Sequence, residues 1–189
     1  MGKEYVRDPN RLEPNPLRNK TLYTIGYEGA CPGDFWATLV AARVQILIDI
    51  RDKPFSRKSG FSKRALEEDA AAHDIGYVHL SGLGDPKEGR EAAKARNYEL
   101  FTRIFESHMK TPQAQSDLKQ AMTLSTEGTS CLLCYERKPQ HCHRMIVAKH
   151  MMWYEEFRVC HLGVQAGIVR KCLPSSATYE DRNLDIGHF

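Results

Sequence analysis

The sequence has no apolar run near the roughly 20 residues that a helical membrane span needs. It also has no strong excess of either charge, Lys+Arg 27 standing against Asp+Glu 24 for a net +3. The first absence excludes a helical membrane protein. The second neither demands nor excludes a polyanionic partner. Six cysteines in 189 residues are too few for a disulfide-built scaffold, and a chain of this length buries enough apolar surface without one. Reduced thiols are therefore expected. The first residues, MGKEYVRDPNRLEPNPLRNK, carry charges and prolines where an export signal would need an apolar segment, so a cytoplasmic location is expected. No internal repeat or low-complexity tract is visible.

What is present is an alternation. Apolar runs of strand length (TLYTI from Thr21, QILIDI from Gln45, YVHL from Tyr77, SCLLC from Ser130, and one near Phe157 to Leu162) are separated by segments of helical period. The pattern predicts an α/β fold of one domain, residues 21–171, with a mainly parallel, Rossmann-like sheet of about five strands and helices on both faces. Residues 1–20 read as a polar arm and 172–189 as a tail. Ser62 is placed to cap a helix running to about His73, carrying Leu66, Ala70 and Ala71 inward. Leu100, Phe101, Ile104, Phe105 and Met109 form an apolar stripe that Pro112 interrupts before a second one begins.

Ligands of open α/β sheets bind beyond the carboxyl ends of the strands. The residues that follow those ends here are Tyr27 and Glu28; Arg51, Ser56, Arg57 and Lys58; Ser81, Asp85 and Lys87; and Tyr135 through Arg144. Arg51, Arg57, Lys87 and Arg144 suit an anionic ligand, Ser56 could add a hydroxyl contact, and Tyr27 and Tyr135 could stack on a base or sugar. Glu136 and Glu28 are candidate general acids or bases, and Asp49 is placed to hold the Arg51 loop from below. The segment DKPFSRKSGFSK from Asp52 mixes Lys53, Arg57, Lys58 and Lys63 with Phe55 and Phe61, a pattern suited to nucleic acid or to a flap over the site.

The densest motif is CYERKPQHCHR, Cys134 to Arg144. Pro139 suits the first turn of a helix whose positive end would lower the Cys142 pKa. Three uses are open: Cys142 as a nucleophile, assisted by His143; a metal at His141, Cys142 and His143; or an anion at the helix end. A phosphate-cradling Cys-x5-Arg loop needs Arg six places after the Cys, and positions 140 and 148 are Gln and Ala. Cys131 and Cys134 would point to opposite faces of a strand. The remaining candidates Cys134, His141, Cys142 and His143 lack a second closed pair at standard spacing, and adjacent Cys142 and His143 would diverge by about 100° in a helix. No closed zinc set results, so neither a metal nor a cofactor is expected.

Four segments together, TIGYEG, LIDIRDKPFSRKSGFSK, YVHLSGLGDPKEGR and LLCYERKPQHCHRMIVA, resemble the domain-of-unknown-function 488 family, in order from about Thr21 to Leu162. The resemblance implies a single α/β domain and directs attention to Gly26, Glu28, Asp49, Arg51, Pro54, Ser56, Lys87, Tyr135, Glu136, Cys142, His143 and Arg144. The functional expectation is an enzyme acting on a phosphate-bearing nucleotide or nucleic-acid component. The alternatives are a non-catalytic nucleic-acid-binding module and a thiol-dependent enzyme using Cys142. The expected partners are an anionic small molecule or nucleic acid, without a membrane.

Overall fold

Among the described residues, five short strands pair wholly in parallel in the order β3-β2-β4-β1-β5. They are β1 (Thr21–Gly26), β2 (Ile46–Asp49), β3 (Gly76–His79), β4 (Ser130–Cys134) and β5 (Arg158–Leu162). The computed structural model describes residues 20–155 and 157–167, so the expected arm and tail lie outside the described residues. β4 is central and every one of its residues is buried, which is why SCLLC reads as an unbroken apolar run rather than an alternating one.

Among the described residues six helices cover the two faces: α1 (Pro32–Ala41), α2 (Lys63–Ala72), α3 (Lys87–Lys94), α4 (Tyr98–His108), α5 (Pro112–Glu127) and α6 (His143–Tyr154). Their starts follow from the sequence. Ser62 Oγ accepts from the Ala65 amide at 3.4 Å, Asn97 Oδ1 from Leu100 at 3.1 Å and Thr111 Oγ1 from Ala114 at 3.3 Å, with Pro112 at the first helical position of α5. Lys87 was expected among the residues that follow the end of β3. It opens α3, whose short polar sequence lacks the apolar stripe that reveals α4.

The two cores lie on opposite sides of the sheet. Phe35, Trp36 and Leu39 of α1 and Leu66 and Ala70 of α2 pack with Ile25, Leu47, Cys131 and Leu133. Phe101 and Phe105 of α4, Leu118 of α5 and Val147 and Met151 of α6 pack with Leu22, Ile48 and Leu132. Burying Phe105 and Leu118 side chains of this kind stabilises by about 1.5–3 kcal/mol each. The alternation along β4 sends Cys131 and Leu133 to one face and Leu132 to the other, so Cys134 points with Leu132 toward α6.

This arrangement places the site. The chain leaves β1 and β2 for helices on one face but leaves β4, which lies between them, for α6 on the other. The loops therefore part beyond the carboxyl end of β4, opening a crevice at the switch in connection direction. No helix among the described residues is long and apolar enough to cross a membrane.

Candidate functional site

The crevice is a cleft of about 520 Å³. Tyr27, Arg51, Cys134, Tyr135, Glu136 and His143 come from the ends of β1, β2 and β4 and the start of α6. Lys53, Phe55, Ser56, Arg57 and Lys58 come from the loop after β2, and Asp85 and Arg90 from the segment after β3.

The floor is held rigidly. The β1–β4 ladder continues past both strands, with the Tyr27 amide donating to Cys134 O at 3.4 Å and the Glu28 amide to Tyr135 O at 2.8 Å. Gly26 lies so close to the Glu136 carbonyl and the Arg144 guanidinium that a Cβ there would collide with both. Arg144 is 1 % exposed and donates to the carbonyls of Glu136 and Arg137, fixing the turn that carries Glu136. Glu28 accepts from the Arg137 amide at 3.0 Å and is not among the cleft-lining residues.

Arg51 is more fully occupied than Arg144, whose Nε is buried with no hydrogen-bond partner among the described residues. Its Nη2 lies 2.5 Å from Asp49 Oδ2, its Nε donates to Asp49 Oδ1 at 2.8 Å, and Nη1 donates to Tyr27 Oη at 3.0 Å and Phe61 O at 2.9 Å. Asp49 thus holds the Arg51 loop from below. Tyr77 Oη donates to Asp49 Oδ2 at 2.7 Å; burial first, and then the Asp49 carboxylate, raise its pKa. Arg51 and Arg144, both expected to bind an anion, have their donors directed mainly into the protein. Lys87 is outside the cleft, 3.8 Å from Glu91 on its own helix. Ser56 lines the cleft and its Oγ accepts from the Lys58 amide at 3.1 Å.

The centre of the floor is a cluster in which Cys134 is the hub. Its Sγ lies 3.0 Å from Glu136 Oε2 and 3.7 and 3.8 Å from the two ring nitrogens of His143, and Cys142 donates a hydrogen bond to it. His143 Nε2 lies 2.9 Å from Ile50 O. A carbonyl only accepts, so Nε2 carries the proton and Nδ1 holds the lone pair of the neutral ring. One ligand atom from each of Cys134, Glu136, Cys142 and His143 lies within 4.8 Å of the others.

Charge is redistributed within this cluster. Burial raises the Cys134 pKa, but hydrogen bonds and the His143 ring outweigh it and bring the thiol well below its ordinary value. Burial, and then donation to Cys134, push Cys142 well above. His143 rises to about 9 against the effect of its burial, because of the Cys134 sulfur. Glu136 rises to about 7, through burial first and then Cys134. Protons in such a set belong to the group as a whole. Asp85, on the cleft wall, is pushed up to about 6 by burial, and its Oδ1 has no hydrogen-bond partner among the described residues.

The local geometry explains what sequence spacing missed. Pro139–His141 is a separate turn of 3-10 helix, and α6 begins only at His143. Cys142 therefore sits before the helix with extended backbone, φ −131° and ψ 140°, so the expected 100° divergence from His143 does not arise. The low-pKa thiol is Cys134, and Cys142 is its hydrogen-bond donor. The available signal was Cys134's position as the last residue of a buried strand, on the face that α6 covers.

The rim is chemically different. Lys53 and Arg57 are exposed, and neither they nor Lys58 form an ion pair among the described residues. Phe55 is 76 % exposed and Tyr135 47 %, two aromatic rings at the mouth of a cleft. Arg90, by contrast, is paired with Asp52 at 2.8 Å.

Neither the curated proteins nor the solved structures give a match to this chain. A family model does, over residues 33–151, from α1 through most of α6 and thus across Arg51, the rim loop, Cys134, Glu136, Cys142, His143 and Arg144, although not Tyr27 or Glu28. On that match the chain belongs to the family described as domain of unknown function DUF488.

Proposed function

We propose that this protein is an enzyme acting on a phosphate-bearing nucleotide or nucleic-acid component, held over the carboxyl end of β4. The observation that carries this reading is the vertical order of the cleft. Lys53, Arg57 and Lys58 and the exposed Phe55 and Tyr135 stand at the rim, above a half-buried Glu136 and the Cys134, His143 pair. Cations without an ion pair among the described residues attract phosphate, and exposed aromatic rings beside them accept a base by stacking. A carboxylate, a thiol and an imidazole below them are the groups of proton transfer and nucleophilic chemistry. A module that only binds a nucleic-acid backbone needs the rim and has no use for the floor.

In this reading Arg51 and Arg144 are positioning residues, and Lys53, Arg57 and Lys58 take over the anion contacts. Glu136 moves the proton, and Cys134, not Cys142, is the thiol that lines the cleft floor.

The test is calorimetric binding of a panel of nucleoside mono-, di- and triphosphates and a short single strand, with turnover followed by mass spectrometry. The triple variant Lys53→Ala, Arg57→Ala, Lys58→Ala is expected to bind at least about tenfold more weakly, roughly 1.4 kcal/mol. Glu136→Gln is expected to keep binding and lose turnover. Equal affinity of wild type and triple variant for every ligand would refute the reading. Binding without turnover, and with a steep salt dependence, would favour the binding module instead.

A further inference from the structure

We propose that Cys134, Cys142 and His143 form a binding site for one thiophilic divalent cation of the zinc class, on the floor of the cleft, with Glu136 beside the ion on the cleft side. The inference does not depend on the nucleotide reading, because metal content is measured with no substrate present.

The first argument is separation. Zinc bonds of about 2.3 Å to sulfur and 2.0–2.1 Å to nitrogen put tetrahedral donors roughly 3.5–3.8 Å apart. Cys134 Sγ is 3.7 Å from His143 Nδ1, and all four candidate donors lie within 4.8 Å of one another. Donors at such separations are close enough to share one ion.

The second argument is orientation. A metal-bound histidine almost always donates its other ring N–H to a carbonyl or carboxylate, which fixes the tautomer. His143 Nε2 already makes that bond to Ile50 O at 2.9 Å, leaving Nδ1 as the donor atom. The turn that carries Glu136 is fixed in the same way, by Arg144 on two carbonyls.

The third argument is donor chemistry. Two sulfurs and an imidazole select zinc and its thiophilic neighbours over magnesium and calcium, which take oxygen. Cys142 is buried behind the floor, whereas Cys134, Glu136 and His143 face the cleft. Three protein donors, two on the cleft floor and one behind it, with a carboxylate beside them, leave one coordination position for water or substrate, the pattern of catalytic zinc sites.

The experiment uses the full chain without a histidine tag. Elemental analysis and native mass spectrometry follow reconstitution with zinc and desalting, and cobalt(II) substitution is read by absorption. The expected result is one zinc per chain and a cobalt spectrum with tetrahedral d–d bands and thiolate charge-transfer absorption. Cys142→Ser is expected to weaken zinc more than about tenfold, and to reduce the charge-transfer band, with circular dichroism unchanged. Glu136→Gln is expected to retain the ion. Folded wild type that leaves reconstitution bare would overturn the proposal, as would a Cys142→Ser variant that holds zinc as tightly as wild type or a Glu136→Gln variant that loses it. If Cys142→Ser does not fold, Cys142→Ala and the cobalt spectrum of His143→Gln give the same reading. Loss of nucleotide binding alone leaves these outcomes unaffected, so the two proposals fail separately.

Discussion

The buried arginines and the rim cations are the same kind of residue put to opposite uses. Arg51 and Arg144 are 6 % and 1 % exposed and spend their donors on Asp49, Tyr27, Phe61 and two loop carbonyls. Lys53 and Arg57 stand in solvent with no ion pair among the described residues. A buried guanidinium persists only where the protein itself supplies acceptors, so such a residue builds the wall. A solvated cation pays little to change partners and is the one that can meet a ligand.

Breaking the wall has the largest expected effect. Gly26→Ala drives a methyl group into the Glu136 carbonyl and is expected to cost about 3 kcal/mol or more in urea unfolding. A cost below 1 kcal/mol would mean that the floor yields readily. Arg144→Met leaves the Glu136 and Arg137 carbonyls without their donor and is expected to cost about 2 kcal/mol.

Asp85 gives a test with a pH sign. Its folded pKa of about 6 stands above its ordinary value of 3.8, so the ionised form is the one the fold disfavours. That penalty is complete above about pH 6 and fades as the pH falls toward 4. In chelator-treated protein, Asp85→Asn is therefore expected to stabilise by about 1 kcal/mol at pH 8, after allowance for partial solvent screening, and by much less at pH 4.5. Unfolding curves at the two pH values check it; equal gains would place the cause elsewhere. The smallest effect is expected on the rim, where Lys53→Ala with Arg57→Ala changes stability by no more than about 0.5 kcal/mol. A larger loss would erase the distinction between rim and wall.

Much of the fold was legible because burial leaves a periodic trace. The SCLLC run, the Phe101, Phe105 and Met109 stripe and the Ser62 cap all appear where their periods and residue types put them. The rim of polar residues at the strand ends was legible for the same reason. α3 was not, because KEGREAAK buries only Gly89 and Ala92. Within the site, Glu136, Cys142, His143, Tyr135 and Arg57 were expected near one another, but the cluster's hub was missed. Spacing gives Cys134 no closed set either with Cys131 or with His141, Cys142 and His143, because its partners Glu136, Cys142 and His143 close around it only once the loop and helix that follow fold back. Sequence also gave no means of telling which arginine would find internal acceptors, since Asp49 and the Glu136 carbonyl meet their guanidinium groups only once the chain folds.

The ladder extended beyond β1 and β4 has a consequence for timing. The amides of Tyr27, Glu28 and Arg137 are each bonded, to Cys134 O, Tyr135 O and Glu28 Oε2. The Tyr27 and Glu28 amides, which extend the ladder, should exchange with deuterium slowly, and the Arg137 amide, bonded to an exposed side chain, sooner. The amides of the rim loop around Lys53 to Arg57 make few such bonds and should exchange early. A ligand arriving at the cleft then meets a floor ordered during folding, and the only ordering left to its binding is that of the rim.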